Sequence, residues 1–314
     1  MSRILVNTKE MPREDWLDYR RTSLGGSDAS VILGLNDFKS KYTLWAEKKG
    51  FVNNDSEDNE RMRIGRDLEQ YVAERFCEAT GKKVRRRNYM FLHDDYDFIS
   101  ANVDREIIGE NAGLECKTTS AFSKSDFENG EIPLYYYCQC MHYMAVMGYE
   151  KMYLAVLVLG KSFHWFEIER NEKEIESLIN TEVNFWNRYV LSDVEVPEVD
   201  GSENTFKTIS QMYPKAENEE MIDLDNEDVC EYIKLQEQIK KLQSYADEFK
   251  QKIQVSLGKN SFGKTKGFEV SYKNQLRTTV DSKRLKEEQP EIYKEYSKES
   301  STRVLRVKKL KEAI

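Results

Sequence analysis

Residues 97–119 restrict the fold of this chain more tightly than any other stretch. Two short apolar runs, "DFISANVD" (97–104) and "GLECKTT" (113–119), lie either side of "REIIGENA". The stretch Gly109-Glu110-Asn111-Ala112-Gly113 is rich in turn formers, so the two runs are expected to pair as a β-hairpin. Successive side chains of a strand leave on opposite faces. Glu115 and Lys117 therefore share one face, Leu114 and Cys116 take the other, and Asp104 comes close to Glu115.

Two carboxylates held near each other repel unless a cation lies between them. Oxygen donors suit a hard divalent ion, magnesium above all, with manganese as a substitute. Such an ion lowers the pKa of a bound water and neutralises charge on a phosphodiester. Lys117 would orient that water or stabilise developing negative charge. A cross-strand salt bridge is the plainer reading of the same residues. A second Glu-x-Lys, in Glu47-Lys48-Lys49, lies at a polar helix end with no strand-end Asp before it and is read as solvated surface. Two further stretches bear on the site. "GRDLEQYVAERF" (65–76) puts Glu69 beside Leu68 and Val72 on the apolar side of a helix, where an acid is usually paired or metal-bound. "YYYCQCMHYMAVMG" (135–148) puts Gln139 and Tyr143 one turn apart on a single face, where they pack at the core boundary or brace a site.

The pattern along the chain alternates between helical and strand periods. Helices are expected over "SKYTLWAEKKG", over "RMRIGRDLEQYVAERFCEATG" with Gly81 as its stop, over 133–148 and over "EKEIESLINTEVNFWNRYVL". Ser27 or Asp28 reads as a helix N-cap after Gly25-Gly26. Strands are expected at "VRRRNYMFL", "FISANVD", "GLECKTT", "KMYLAVLVLG" and "SFHWFEIER". This order predicts an α/β layer around a mixed sheet. Residues 1–197 form the expected core, 198–222 an irregular linker, and 223–314 an extension. The extension holds a long amphipathic helix (Val229, Tyr232, Leu235, Ile239, Leu242, Ala246, Phe249, Ile253), a β-hairpin and a basic tail.

Composition removes several alternatives. Five cysteines form no C-x-x-C set and only three histidines are present, so zinc and iron–sulfur sites are not expected. No apolar run reaches the ~20 residues of a membrane span, and the N-terminus lacks the apolar core of a signal peptide; an intracellular protein is expected. A net charge of −8 argues against broad nucleic-acid binding but leaves room for a local basic groove. The run Lys82, Lys83, Arg85, Arg86, Arg87 reads either as a solvated edge strand or as a phosphate-contacting rim.

From Trp16 to about residue 190 the chain resembles the YqaJ-type viral recombinases, relatives of bacteriophage lambda exonuclease among the PD-(D/E)xK nucleases. The pieces that carry the resemblance are "WLDYRRTSLGGSDASVILG", "GRDLEQYVAERF", "SANVD" followed by "GLECKT", and "CQCMHYMAV", in that order. The resemblance implies a restriction-endonuclease-like core. It makes Glu69, Asp104, Glu115 and the Cys116 carbonyl metal ligands, Lys117 the catalytic lysine and Gln139 the glutamine behind the site. Arg20 and Ser27 would hold a terminal 5′-phosphate, with Asn102 standing where the family has a serine; Asp94 falls where a further acid occurs. Val103 departs from the family's proline. The implied activity is a magnesium-dependent 5′–3′ exonuclease on duplex DNA ends, in the cytoplasm of a bacterial host. It would be a trimeric ring and would feed a single-strand annealing recombinase. An endonuclease of the same fold and a non-catalytic DNA-binding or assembly protein are the alternatives.

Overall fold

The computed structural model describes residues 3–53, 59–120, 127, 130–299 and 301–310. The chain divides into two units, Met1–Tyr213 and Pro214–Ile314. At the centre of the first lies a five-stranded sheet of order β2-β5-β6-β7-β8. Its strands are β2 (Val84–Arg86), β5 (Arg105–Ile107), β6 (Ala112–Thr119), β7 (Lys151–Val158) and β8 (Ser162–Glu169). Only β6 and β7 run parallel; the other neighbours are antiparallel. A parallel pair needs a crossover, supplied here by α5 (Leu134–Met147). The expected α/β class with a mixed sheet is the one observed.

The alternation of β6 sets what covers each face. Leu114 and Cys116 meet Val72, Ala73 and Phe76 of α4 (Glu60–Thr80), together with Ile107, Tyr153 and Ala155. The opposite face, with Met152, Leu154 and Val156, is covered by Cys140, Met141 and Met144 of α5. Gly81 ends α4 with φ 72°, a left-handed conformation that suits glycine.

Five differences from the expected pattern have physical causes. The expected hairpin of 97–104 with 113–119 does not form: Ser100 and Ala101 pair with Leu92 and Phe91 in another sheet, and the strand beside β6 is β5, so Asp104 reaches β6 as the residue before β5. Residues 3–7 form strand β1, which pairs antiparallel with β3 (Tyr89–Leu92); β4 (Ser100–Ala101) completes this second sheet. "VRRRNYMFL" is consequently two strands in two sheets, broken where Tyr89 N–H donates to the Arg87 carbonyl. The helix after Gly25 is capped by Gly25 itself. In α2 (Gly26–Ile32), Asp28 lies at the third position and its carboxylate accepts the Gly25 N–H at 3.0 Å, so neither Ser27 nor Asp28 is the cap. Within 198–222, α7 (Glu203–Met212) docks on α3 (Lys41–Lys48) through hydroxyls: Thr205 donates to Ser40 at 2.8 Å and Thr208 lies 2.7 Å from Thr43. Ile209 and Met212, one turn apart, pack on the apolar cluster around Tyr42 and Trp45 beside these hydroxyls.

The second unit comprises α8 (Asn226–Leu257), the β9 (Phe262–Lys264) and β10 (Glu269–Ser271) hairpin, and the short helices α9 (Ser282–Glu288) and α10 (Pro290–Tyr296). No helix among the described residues is long and apolar enough to cross a membrane.

In the first unit α2 packs closely on α5. A methyl group added at Gly26 would lie 2.7 Å from Tyr143 Cε1 and 3.0 Å from Gln139 Cγ, whereas one at Gly25 meets nothing within 4 Å. Gly26→Ala should therefore cost about 1–3 kcal/mol through overpacking. Gly25→Ser, at a cap position that favours serine, should leave stability within about 0.5 kcal/mol. Chemical denaturation of the two variants checks this.

Candidate active site

Pairing of Arg105 with Leu114 and of Glu106 with Gly113 brings the residue before β5 alongside the middle of β6. Asp104 Oδ2 accepts the Cys116 N–H at 2.8 Å. A strand residue's N–H and C=O leave on the same edge, so the Cys116 carbonyl leaves β6 on the edge where Asp104 sits. Glu115 is 4% exposed and faces α5. Its Oε1 accepts from Gln139 Nε2 at 2.7 Å and from Lys117 Nζ at 2.6 Å. Its Oε2 is buried with no hydrogen-bond partner. Gln139 Nε2 also lies 2.9 Å from the Tyr143 hydroxyl, and Lys117 Nζ stands 5.3 Å above the Tyr136 ring.

Charge at this spot is unevenly balanced. Burial, then the charges of Glu115 and Glu69, raise the Asp104 pKa well above the usual carboxylate range, against the opposing pull of Lys117 and the Cys116 N–H. Burial disfavours the Lys117 ammonium, yet Glu115, Tyr143, Asp104 and Tyr136 together outweigh that and raise its pKa. Burial pushes the Cys116 thiol up, which makes it a poor nucleophile or ligand at neutral pH.

Glu69 approaches from α4, on the other side of the sheet. It is paired to Arg105 at 2.5 Å. Arg105, 2% exposed, also donates to the Asp104 carbonyl at 2.7 Å and to Gln70 at 3.1 Å. Among the described residues no group of three or more His, Cys, Asp or Glu side chains forms a metal-holding cluster. What does fit a hard divalent ion is the orphaned Glu115 oxygen, with the Asp104 carboxylate and the Cys116 carbonyl beside it, all oxygen donors.

The phosphate-binding candidates are divided between two places. Arg20, in the last turn of α1 (Arg13–Arg21), donates to Ser27 Oγ at 2.7 Å and lies over the Trp16 ring at 5.0 Å. Asn102 is half-buried between β4 and β5, two residues before Asp104. Asp94 is exposed on the β3–β4 connection. Arg20 also lines a cavity of about 210 Å³ with Arg13, Trp16, Arg21 and Lys39, and Asp28 and Lys48 are among its walls.

The reading of 47–49 as solvated surface is wrong. Lys48 is 4% exposed and donates to the Arg20 and Ser23 carbonyls and, at 2.8 Å, to Asp28 Oδ2. Although burial opposes its charge, Lys48 and Arg20 hold the Asp28 carboxyl well below its ordinary range. Lys49 reaches the Val190 and Ser192 carbonyls and Asp193. The signal was present, since Lys48 falls one turn after the buried Leu44 and so on the apolar face of α3. A second missed cluster ties the two regions together. His142 and Glu182, both fully buried, lie 2.8 Å apart, and His142 Nε2 donates to the Ser100 carbonyl at 2.8 Å. Ser100 Oγ lies 2.8 Å from Ser23 Oγ, and Ser100 N–H donates to the Leu24 carbonyl.

Comparison with known proteins agrees with this chain's motifs. A family model, the YqaJ-like viral recombinase domain, matches residues 15–150. The protein YqaJ of Bacillus subtilis (strain 168) is 39% identical over 312 residues, 98% of each chain. The chain belongs to the YqaJ-like viral recombinase family. Solved structures similar to this family member include an alkaline exonuclease from Laribacter hongkongensis (16% identity, 55% of this chain and 91% of that one, TM-score 0.46). A phage related exonuclease from Haemophilus somnus 129PT is another (14% identity, 56% of this chain and 96% of that one, TM-score 0.41).

The buried pair under Arg20 gives a direct test. Lys48→Met removes the buried cation closest to Asp28, leaving it only Arg20 at 3.5 Å, and should cost about 3–5 kcal/mol. Lys41→Met, at an exposed position of the same helix, should stay within about 0.5 kcal/mol. Urea denaturation measures both.

Proposed function

We propose that the chain is a magnesium-dependent deoxyribonuclease that degrades duplex DNA from its 5′ ends and leaves a 3′ single strand for an annealing recombinase. The observation that carries this reading is Glu115. It is a buried carboxylate with one oxygen braced by Gln139 and Lys117 and the other without a partner, beside Asp104. Membership of a recombinase family supports the same direction.

Asp104, Glu115 and the Cys116 carbonyl would hold the ion, and Glu69 would join them on leaving Arg105. When bound, the ion supplies charge neutralisation on the phosphodiester and a lowered pKa for a coordinated water. Gln139 fixes the rotamer of Glu115 so that Oε2 stays available. Lys117, already donating to Glu115, is placed to orient the attacking water or to stabilise charge developing on the phosphate. Arg20 presents a planar, permanently charged fork to a terminal phosphate, and Ser27 and Asn102 add polar contacts. The basic cavity walls around Arg20 support the choice of an end-binding enzyme over an endonuclease. Assembly as a trimeric ring in the cytoplasm of a bacterial host completes the proposal; basic groups then need only line the channel, which suits a chain of net charge −8.

Cleavage of linear and closed circular duplex, with magnesium or with excess chelator, tests the reading. Linear DNA alone should be degraded, and only with the metal. Asp104→Ala and Glu115→Ala should each abolish cleavage. Lys117→Ala should lower kcat by about 10²–10³, as loss of an electrostatic donor does elsewhere. Full activity in chelator would overturn the metal assignment. Ends bearing a 5′-phosphate should be degraded faster than 5′-hydroxyl ends. Arg20→Ala should shrink that preference by about tenfold or more, the ~1.5–3 kcal/mol of a charged hydrogen bond. Equal rates on both ends, or efficient cutting of circles, would replace the exonuclease with an endonuclease.

A further inference from the structure

Tyr136, Gln139 and Tyr143 fall at i, i+3 and i+7 of α5, which places all three on one side of that helix. α5 runs back along β6. Gln139 meets Glu115, and one turn earlier Tyr136 meets Lys117, two strand positions further on. The Lys117 ammonium stands 5.3 Å from the centre of the Tyr136 ring, within the range of a cation–π contact. The ring is itself held. It is half-buried, packs on the Tyr135 ring at 4.3 Å and stacks on the buried Phe127 ring at 6.4 Å. Its main chain is anchored in the first turn of α5, where the Tyr136 N–H donates to the Pro133 carbonyl.

We infer that Tyr136 is a positioning residue for Lys117, its ring face fixing the direction in which the ammonium points; the inference rests on the nuclease reading above. A lysine carries its charge on a flexible stem, so one hydrogen bond to Glu115 leaves the ammonium free to swing about that contact. Glu115 takes one of the three N–H donors, at 2.6 Å. The ring face draws a second. The last is left for a water or a phosphate oxygen, and the 24% exposure of the Lys117 side chain gives such a group access. An aromatic ring suits this position better than another acid. A further carboxylate would add to the negative charge already crowding Asp104 and Glu115, whereas a ring attracts the ammonium through its quadrupole and adds none.

A double-mutant cycle, read as single-turnover cleavage of 5′-phosphorylated duplex in magnesium, tests this. Tyr136→Leu should lower the maximal cleavage rate about 5- to 30-fold, the loss of a partly desolvated ammonium–ring contact, and leave the half-saturating duplex concentration within about twofold. Tyr136→Phe keeps the ring and should restore most of the rate. In a Lys117→Ala background Tyr136→Leu should have almost no further effect, because the group it positions is gone. Damage to the fold alone would be carried over in full. An unchanged rate in Tyr136→Leu, a fully additive loss in the Lys117→Ala background, or Tyr136→Phe as slow as Tyr136→Leu would overturn the inference. Failure of Lys117→Ala to slow cleavage would instead overturn the part assigned to Lys117, and this inference with it.

Discussion

Glu115 is a carboxylate kept almost entirely from water in the middle of the central sheet. Moving such an ion out of water costs several kcal/mol even after relaxation, and its neighbours must offset that. Lys117 contributes an opposite charge and Gln139 a hydrogen bond, both to the same oxygen. The second oxygen gains nothing, and the adjacent Asp104 adds a further acid whose own ionisation burial and Glu115 oppose. One ammonium against two buried carboxylates is a site short of positive charge. The close approach of Gly26 to Tyr143 and Gln139 belongs to the same constraint, because it holds the face of α5 that braces Glu115.

The Arg20 region and the acid pair are joined through main chain and buried polar groups as well as through the apolar contact of α2 with α5. Leu24 bridges to Ile99, Ser23 meets Ser100, and His142 with Glu182 clamps the Ser100 carbonyl four residues before Asp104. Hydrogen bonds of this kind are strong inside a protein and costly to leave half-made. They fix spacing better than apolar packing, which tolerates sliding. A site that must hold a terminal phosphate and a reacting bond at a set separation needs that rigidity.

Much of this was legible in the residues. The alternation of 113–119 put Glu115 and Lys117 on one face, because strand geometry leaves little freedom once one face must be buried; the expected partner run 97–104 was wrong, since β5 pairs with β6 and Ser100–Ala101 pairs with β3. Gln139 followed from helical spacing. What escaped reading was polar and long-range. The Asp28–Lys48 pair joins residues 20 apart and His142–Glu182 residues 40 apart, and no local periodicity announces such partners. Arg105 lay between the two expected strands; it opens β5 and is the buried cation that pairs with Glu69. Strand β1 gave no signal of its own, since its pairing depends on β3, more than eighty residues away.

The most direct test of the account is to locate a manganese ion by its anomalous scattering in crystals of the protein soaked with that metal. The account predicts a peak within bonding distance of Glu115 Oε2 and the Asp104 carboxylate, lost in Glu115→Gln. A protein that takes up no manganese at this pair, while binding it elsewhere or not at all, would contradict it.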